Sequence, residues 1–319
     1  MRITVTGAAG FVGSALCSYL SEKGYKVTGI IRDGSQFSVP EIIEFRCVGE
    51  IGPKTDWSNI LLDEDVVIHL AARTHTKDAS KKNAEQLYHK INVDGTLRLA
   101  QSAMDLGVKK FVYVSSVKAM GEHSGVEPLN ESFTPKPEDY YGLTKLRAER
   151  ELLGLCSKSD MKVIIVRPPL IYGPGVKGNF LSLMKVCQIG LPLPFKTVKN
   201  KRSIIFLGNF TDILTKIIET NIPSGECFLV SDGESVSTAE LVARISFSLG
   251  KSPNLFFMPI SILTVLGTAL GQKAAIERLT GSLEIEDSKI KKMLGWAPPF
   301  NMLQGLEITA KWFQDQKKA

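Results

Sequence analysis

Between the strand-like run RITVT at residues 2–6 and a helical pattern over 11–23 lies TGAAGFVG, with Gly7, Gly10 and Gly13 three apart. Glycine permits a tight turn and lets the backbone approach a pyrophosphate at a helix N-terminus, while the third glycine lets helix and strand pack closely. The spacing alone is weak evidence, but a strand before it and a helix after it make it a dinucleotide-binding turn. Around it the first half alternates β-rich runs at 2–6, 26–31, 43–48, 65–70, 111–115 and 162–166 with helical stretches at 11–23, 83–106 and 141–157. These runs are nearly continuous in Val and Ile, as strands buried on both faces are. Strand–helix repetition predicts an α/β fold with a doubly wound parallel sheet. The second half reads as one more strand at 226–230 and helices at 178–190, 209–220, 237–249, 260–270, 286–293 and 303–314. No internal repeat appears.

The second strand ends GIIRDG over 29–34, with Ile31 where a carboxylate for the ribose 2′-hydroxyl is expected, followed by Arg32. A guanidinium there suits a 2′-phosphate, so NADP is the expected cofactor, with NAD as the alternative because Asp33 comes one residue later.

Tyr141 and Lys145 stand four apart in DYYGLTK, on one helix face, and Ser116 lies upstream in YVSSVKAMG. An ammonium beside a phenol favours the phenolate, which predicts a lowered tyrosine pKa. With a serine hydroxyl to hold a substrate oxygen, this is an acid/base device for moving a proton while a hydride moves at the same carbon. Y-x-x-x-K is common in helices, so the surrounding motifs decide whether it is a site.

The 319 residues suffice for a large core, and 44% hydrophobic with 23% charged residues is ordinary for a globular chain. The formal net charge of +6 suits anionic small ligands. The densest basic stretch, KTVKNKR at 196–202, has no nucleic-acid recognition motif beside it, so no nucleic-acid partner is expected. Five widely spaced cysteines (Cys17, Cys47, Cys156, Cys187, Cys227) and four scattered histidines give no metal-ligand spacing. The cysteines read as small buried hydrophobes in a reducing, cytoplasmic setting, and His69 as a satisfied core residue. The chain opens directly on a strand and reads as lacking a signal peptide. Between Lys251 and Lys273 there is no Asp, Glu, Lys or Arg. Pro253 and Pro259 break that stretch, which reads as a buried or surface-packed helix, with a membrane-surface contact as the alternative.

Together the glycine loop, HLAAR (69–73), NVDGT (92–96), Ser116, Tyr141-x-x-x-Lys145 and VRPPLIYGPG (166–175) resemble the extended short-chain dehydrogenase/reductase family of nucleotide-sugar epimerases and reductases, over essentially the whole chain. The resemblance implies a Rossmann-type dinucleotide-binding domain at 1–171, with a return segment at about 203–231, and a smaller, mainly helical substrate domain at 172–202 and 232–319. It implies cofactor contacts from Gly7, Gly10, Phe11, Val12, Gly13, Arg32, Leu70, Ala71, Ala72 and Arg73. Tyr141 becomes the general acid/base, Lys145 the holder of the nicotinamide ribose, Ser116 the group that polarises the substrate carbonyl, and Asn92 a brace. Tyr140 and Ser115 are the bystanders. Asn179, Phe180, Arg202 and Arg278 match places where the family grips a nucleotide diphosphate, for which arginine forks suit the dense charge.

PPLIYGPGVKGNF (168–180), PLPF (192–195), FLVSDGESVST (228–238) and the ERLTGSL…LGWAPPF ending resemble bacterial polysaccharide-pathway enzymes, including UDP-N-acetylquinovosamine 4-reductases. The activity implied is 4-keto reduction of a UDP-4-keto-6-deoxy-N-acetylhexosamine, with UDP-glucose or UDP-N-acetylglucosamine 4-epimerisation as the alternative. Dehydratases of this type carry an acidic pair after the serine, where this chain has Val117 and Lys118. Residues near 75–80, 118–124 and 178–195 are expected to set the sugar preference. The family also implies a homodimer through helices 83–106 and 141–157.

Overall fold

The computed structural model describes residues 1–32, 43–74, 81–157 and 159–316. Seven parallel strands form the main sheet, in the order β3-β2-β1-β4-β5-β6-β9. They are β1 (Arg2–Thr6), β2 (Lys26–Ile31), β3 (Glu44–Cys47), β4 (Val66–His69), β5 (Lys110–Val114), β6 (Lys162–Arg167) and β9 (Cys227–Leu229). β4 and β5 are buried at every position and β1 at all but its first, which is why they read as apolar runs, whereas edge strand β3 is half exposed. The order reverses between β1 and β4, the switch point at whose carboxyl side ligands bind in such sheets. This is the Rossmann-type architecture expected.

Helices cover both faces. One core joins β1, β4 and β6 to α1 (Phe11–Glu22) and α6 (Leu207–Glu219), through Leu16, Leu20, Phe210 and Ile217. The other packs Trp57, Leu99, Phe111 and Leu152 around α3 (Thr96–Asp105) and α4 (Tyr140–Cys156). The single helix expected over 83–106 is interrupted. α2 (Lys81–His89) passes into a π-helical stretch, Lys90–Gly95, before α3 begins. Asn92 in that stretch is buried and bonds across space, and those bonds account for the widened turn.

Three short strands escaped the sequence reading. β7 (Leu170–Tyr172), β8 (Arg202–Phe206) and β10 (Ser235–Val236) form a second sheet, with β7 parallel and β10 antiparallel to β8. Its core holds Tyr172, Phe180, Phe206 and Met302, contacted by α5 (Gly178–Ile189), α7 (Thr238–Ser248) and α11 (Met302–Asp315). α8 (Ile260–Ala269), α9 (Lys273–Thr280), itself unforeseen, and α10 (Ser288–Leu294) complete the chain. Capping boxes at Ser237 and Asn301 fix the starts of α7 and α11.

Candidate active site at the carboxyl edge of the sheet

The glycine turn leaves β1 at the switch point. Gly7 has φ +71°, and a side chain there would press on the Ala71 backbone 3.0 Å away. A Cβ on Gly13 would lie 2.1 Å from the Gly7 carbonyl, so only glycine lets α1 start this close to the strand. α1 begins with no side-chain cap and no acid in its first turn, so its N-terminal amides face outward uncompensated.

Residues 70–73 follow β4 and border this turn. The Ala71 amide donates to Thr6 Oγ1 at 3.2 Å. Asn92 accepts from the Arg73 amide at 2.8 Å and donates to the Arg73 carbonyl at 3.1 Å and to Thr144 at 3.2 Å, tying the loop to α4. The Arg73 Nε is buried without a hydrogen-bond partner. Arg32 is exposed just past the end of β2. Asp33 and residues 75–80 lie outside the described residues.

Ser116 follows β5 in extended conformation, and its Oγ accepts from the Lys118 amide at 3.2 Å. α4 starts opposite, capped by Asp139, which accepts from the Gly142 amide at 2.7 Å. This sets Tyr141 in the first turn and Lys145 one turn on. Lys145 Nζ donates to the Val114 carbonyl at 2.7 Å and lies 4.5 Å from the Tyr113 ring centroid and 5.9 Å from that of Tyr141. Tyr140 is exposed beside the site. Ser115 is buried.

The acidities differ from the expectation. Burial pushes the Tyr141 phenol well above its usual range; Asp139 adds to this and the Ser116 hydroxyl opposes it. Burial also pulls Lys145 down to about 7. Desolvation penalises both charged forms, and it outweighs the help an ammonium gives a phenolate. His69 is the satisfied core residue expected. It is buried between Thr6 Oγ1 at 2.7 Å and Thr96 Oγ1 at 2.9 Å, and burial holds it neutral with a pKa of about 3.

A cluster that the sequence reading missed sits beside this pair. Lys118 Nζ contacts Glu122 at 2.8 Å and Asp139 at 2.7 Å. Below it, the buried Arg167–Glu149 pair, with Nε to Oε1 at 2.9 Å, ties α4 to β6. The sequence signal for each was a charge inside an otherwise apolar or helical stretch, whose partner lies 18 or 21 residues away.

On the far side Arg202 is half-buried at the start of β8 and donates to the Gly281 carbonyl at 3.3 Å. Burial and the nearby Arg278 of α9 lower its pKa, with Glu122 opposing, so two guanidinium groups and one carboxylate converge here. Asn179 is exposed in the first turn of α5, where Lys177 holds the cap position. The Phe180 ring is buried and stacked on Tyr172 at 5.3 Å, so its side chain serves the core. Cys17 and Cys187 are buried as expected, but Cys47 is exposed on the edge strand, its thiol donating to the Arg32 carbonyl. No group of three or more potential metal ligands occurs among the described residues.

This arrangement fits a dinucleotide. It offers a glycine cradle that any Cβ would fill, an uncapped helix N-terminus, and a buried unpaired Arg73 nitrogen on the loop after β4. The chain belongs to the NAD dependent epimerase/dehydratase family, whose model matches residues 3–231. It is 39% identical over 314 residues to a UDP-glucose 4-epimerase of Vibrio cholerae, covering 98% of this chain and 95% of that one. It is 24% identical to the N-acetyl-alpha-D-glucosaminyl-diphospho-ditrans,octacis-undecaprenol 4-epimerase of Escherichia coli O157:H7, over 98% of this chain and 95% of that one. Among solved structures it is similar to a UDP-glucuronic acid 4-epimerase from Bacillus cereus in complex with NAD, with TM-score 0.78, 25% identity and coverage of 99% and 97% of the two chains.

Proposed function

We propose that this protein interconverts C4 epimers of a UDP-sugar by NAD(P)-linked oxidoreduction. The observation that carries the reading is the convergence of Ser116, Tyr141 and buried Lys145 at the carboxyl ends of the strands, beside a glycine turn suited to a dinucleotide. The 39%-identical UDP-glucose 4-epimerase supports epimerisation as the outcome.

The backbone of Gly7, Gly10, Phe11, Val12 and Gly13 holds the cofactor diphosphate, and Leu70, Ala71, Ala72 and Arg73 border its ribose. Arg202 and Arg278, with the start of α5 at Asn179, hold the diphosphate of the UDP-sugar. In this reading residues 1–171 with 203–231 serve the cofactor, and 172–202 with 232–319 serve the sugar nucleotide. A nicotinamide supplies a two-electron acceptor that can return its electrons to either face of C4. Ser116 donates a hydrogen bond to the C4 oxygen. Tyr141 takes the hydroxyl proton as the carbonyl forms and gives it back as the alcohol is restored. Lys145, when protonated, favours the phenolate and so offsets the burial that raises the phenol pKa.

A second reading, reduction of a UDP-4-keto-6-deoxy-N-acetylhexosamine, rests on Ile31 and Arg32. The expected acid is absent and a guanidinium stands exposed at the strand end, a pattern suited to an exchangeable NADPH. Incubating the purified protein with UDP-glucose or UDP-N-acetylglucosamine, without added cofactor, separates the two. A C4 epimer without net cofactor consumption is the expected result. Stoichiometric NADPH oxidation with a 4-keto substrate, and no epimer in the first assay, establishes the reductase instead.

A further inference from the structure

Helix α8 has the wrong surface for a helix facing water. It buries only Leu263 and Gly267, with Gly267 so close to α9 that a Cβ would meet Ile276 at 2.4 Å. Around the remaining circumference Ile262, Val265, Leu266 and Ala269, spaced i, i+3, i+4 and i+7, form a second apolar stripe that is exposed. Val265 is 68% exposed, and Phe257, in the loop leading to the helix, 69%. An amphipathic surface helix presents a polar outer face; this one is apolar on both sides.

Lysines flank the stripe. No acid or base interrupts residues 252–272, and lysines mark both ends: exposed Lys251 before the segment and Lys273 after it. A third exposed lysine, Lys196, has its backbone amide bonded to the Phe256 carbonyl. Lys273 pairs with Glu277 of α9 at 3.7 Å. We propose that α8 and the Phe256–Phe257 loop dock this protein on the surface of an anionic lipid bilayer, the apolar stripe entering the headgroup boundary and the lysines meeting lipid phosphates. Among the described residues no helix is long and apolar enough to cross a membrane, so the contact is peripheral. A second copy fits the face less well. Two-fold pairing of the stripe would bring the lysines together with no carboxylate in the segment to receive them.

Cosedimentation with vesicles tests this without any turnover, so its failure leaves the epimerase reading untouched. Wild-type protein is expected to bind vesicles of mixed phosphatidylcholine and phosphatidylglycerol, to bind phosphatidylcholine alone weakly, and to lose the difference in high salt. The double variant Val265→Asp/Leu266→Asp is expected to lose about tenfold or more in vesicle affinity, with turnover of soluble UDP-sugar unchanged. Lys196→Glu/Lys251→Glu is expected to lose the preference for anionic vesicles. The proposal is overturned if wild-type protein stays in the supernatant with both vesicles, or if the aspartate variant binds as wild type does. It is equally overturned if that variant instead halves the mass seen by light scattering, which makes the stripe a contact between copies.

Discussion

Replacing Gly142 by alanine adds one methyl group at the point where α4 meets the turn carrying Ser116. Its Cβ would lie 2.3 Å from the Lys118 carbonyl oxygen and 2.9 Å from the carbonyl carbon. Ordinary contact requires the turn and the helix to part by about 1 Å. Neither partner is a flexible side-chain tip. The Lys118 carbonyl belongs to the backbone two residues past Ser116, and Gly142 follows Tyr141 directly. The displacement therefore falls on the Ser116–Tyr141 pair. A misplacement of about 1 Å in a catalytic group costs about a hundredfold in rate. Stability should suffer less: overpacking costs about 1–3 kcal/mol, and alanine in a helix regains about 1 kcal/mol over glycine. Gly142→Ala is thus expected to lose about a hundredfold in kcat while melting within a few degrees of wild type and binding UDP normally. Steady-state kinetics, a thermal melt and UDP calorimetry check the three. An unchanged kcat in a folded variant would refute the claim that this close approach sets the catalytic geometry.

Tyr141→Phe should lower turnover by about 10²–10⁴-fold with UDP binding retained; calorimetry alongside an epimer assay checks both. Lys145 links stability to pH. Its folded pKa of about 7 lies below the ordinary lysine value of 10.5. Below pH 7 both states hold the proton and the full burial cost is present; between about 7 and 10.5 only the unfolded state keeps it, so stability rises with pH in that window. Lys145→Met removes the group, and its denaturation free energy should lack that slope, at most about 1.4 kcal/mol per pH unit in wild type; parallel urea titrations at several pH values decide it. Glu149→Gln strands the Arg167 charge in the interior and should cost about 3–5 kcal/mol, read from the same denaturation curves. Arg32→Ala should weaken NADP(H) about ten- to hundredfold relative to NAD(H); equal loss of both cofactors would remove Arg32 from the 2′-phosphate role.

The sequence exposed whatever depended on local pattern. Strands buried on both faces print as Val/Ile runs, so β1, β4, β5 and β6 were visible to within a residue or so. The glycine turn was visible because backbone approach leaves glycine as the only choice. What escaped was set across space. β10 is two residues long and exists only because Ser235 and Val236 pair with β8 some thirty positions earlier. The π-helical stretch at 90–95 follows from Asn92 bonding Arg73 and Thr144. The raised Tyr141 pKa is a property of burial, and the Tyr–Lys spacing that identified the pair says nothing of burial.

Lys118 shows how one such unseen contact bears on the choice of chemistry. By sequence it is merely a residue where related dehydratases carry an acid. In the structure it is held by two carboxylates. Burial pulls its pKa down, but Asp139 and Glu122 more than compensate, and the ammonium ends above the ordinary lysine range. It is therefore charged throughout the working pH range and has no proton to accept. Against burial, the Gly142 amide and then the Lys118 contact lower the Asp139 pKa, so the cap of α4 is a fixed carboxylate. An elimination needs a group near the sugar that can trade a proton in addition to the tyrosine. Here Lys118, two residues past Ser116, is ion-paired with Asp139, the residue that caps the helix carrying Tyr141. In the proposed reading proton transfer at this edge falls to Tyr141 with Ser116 beside it, an arrangement suited to oxidation and reduction at one carbon.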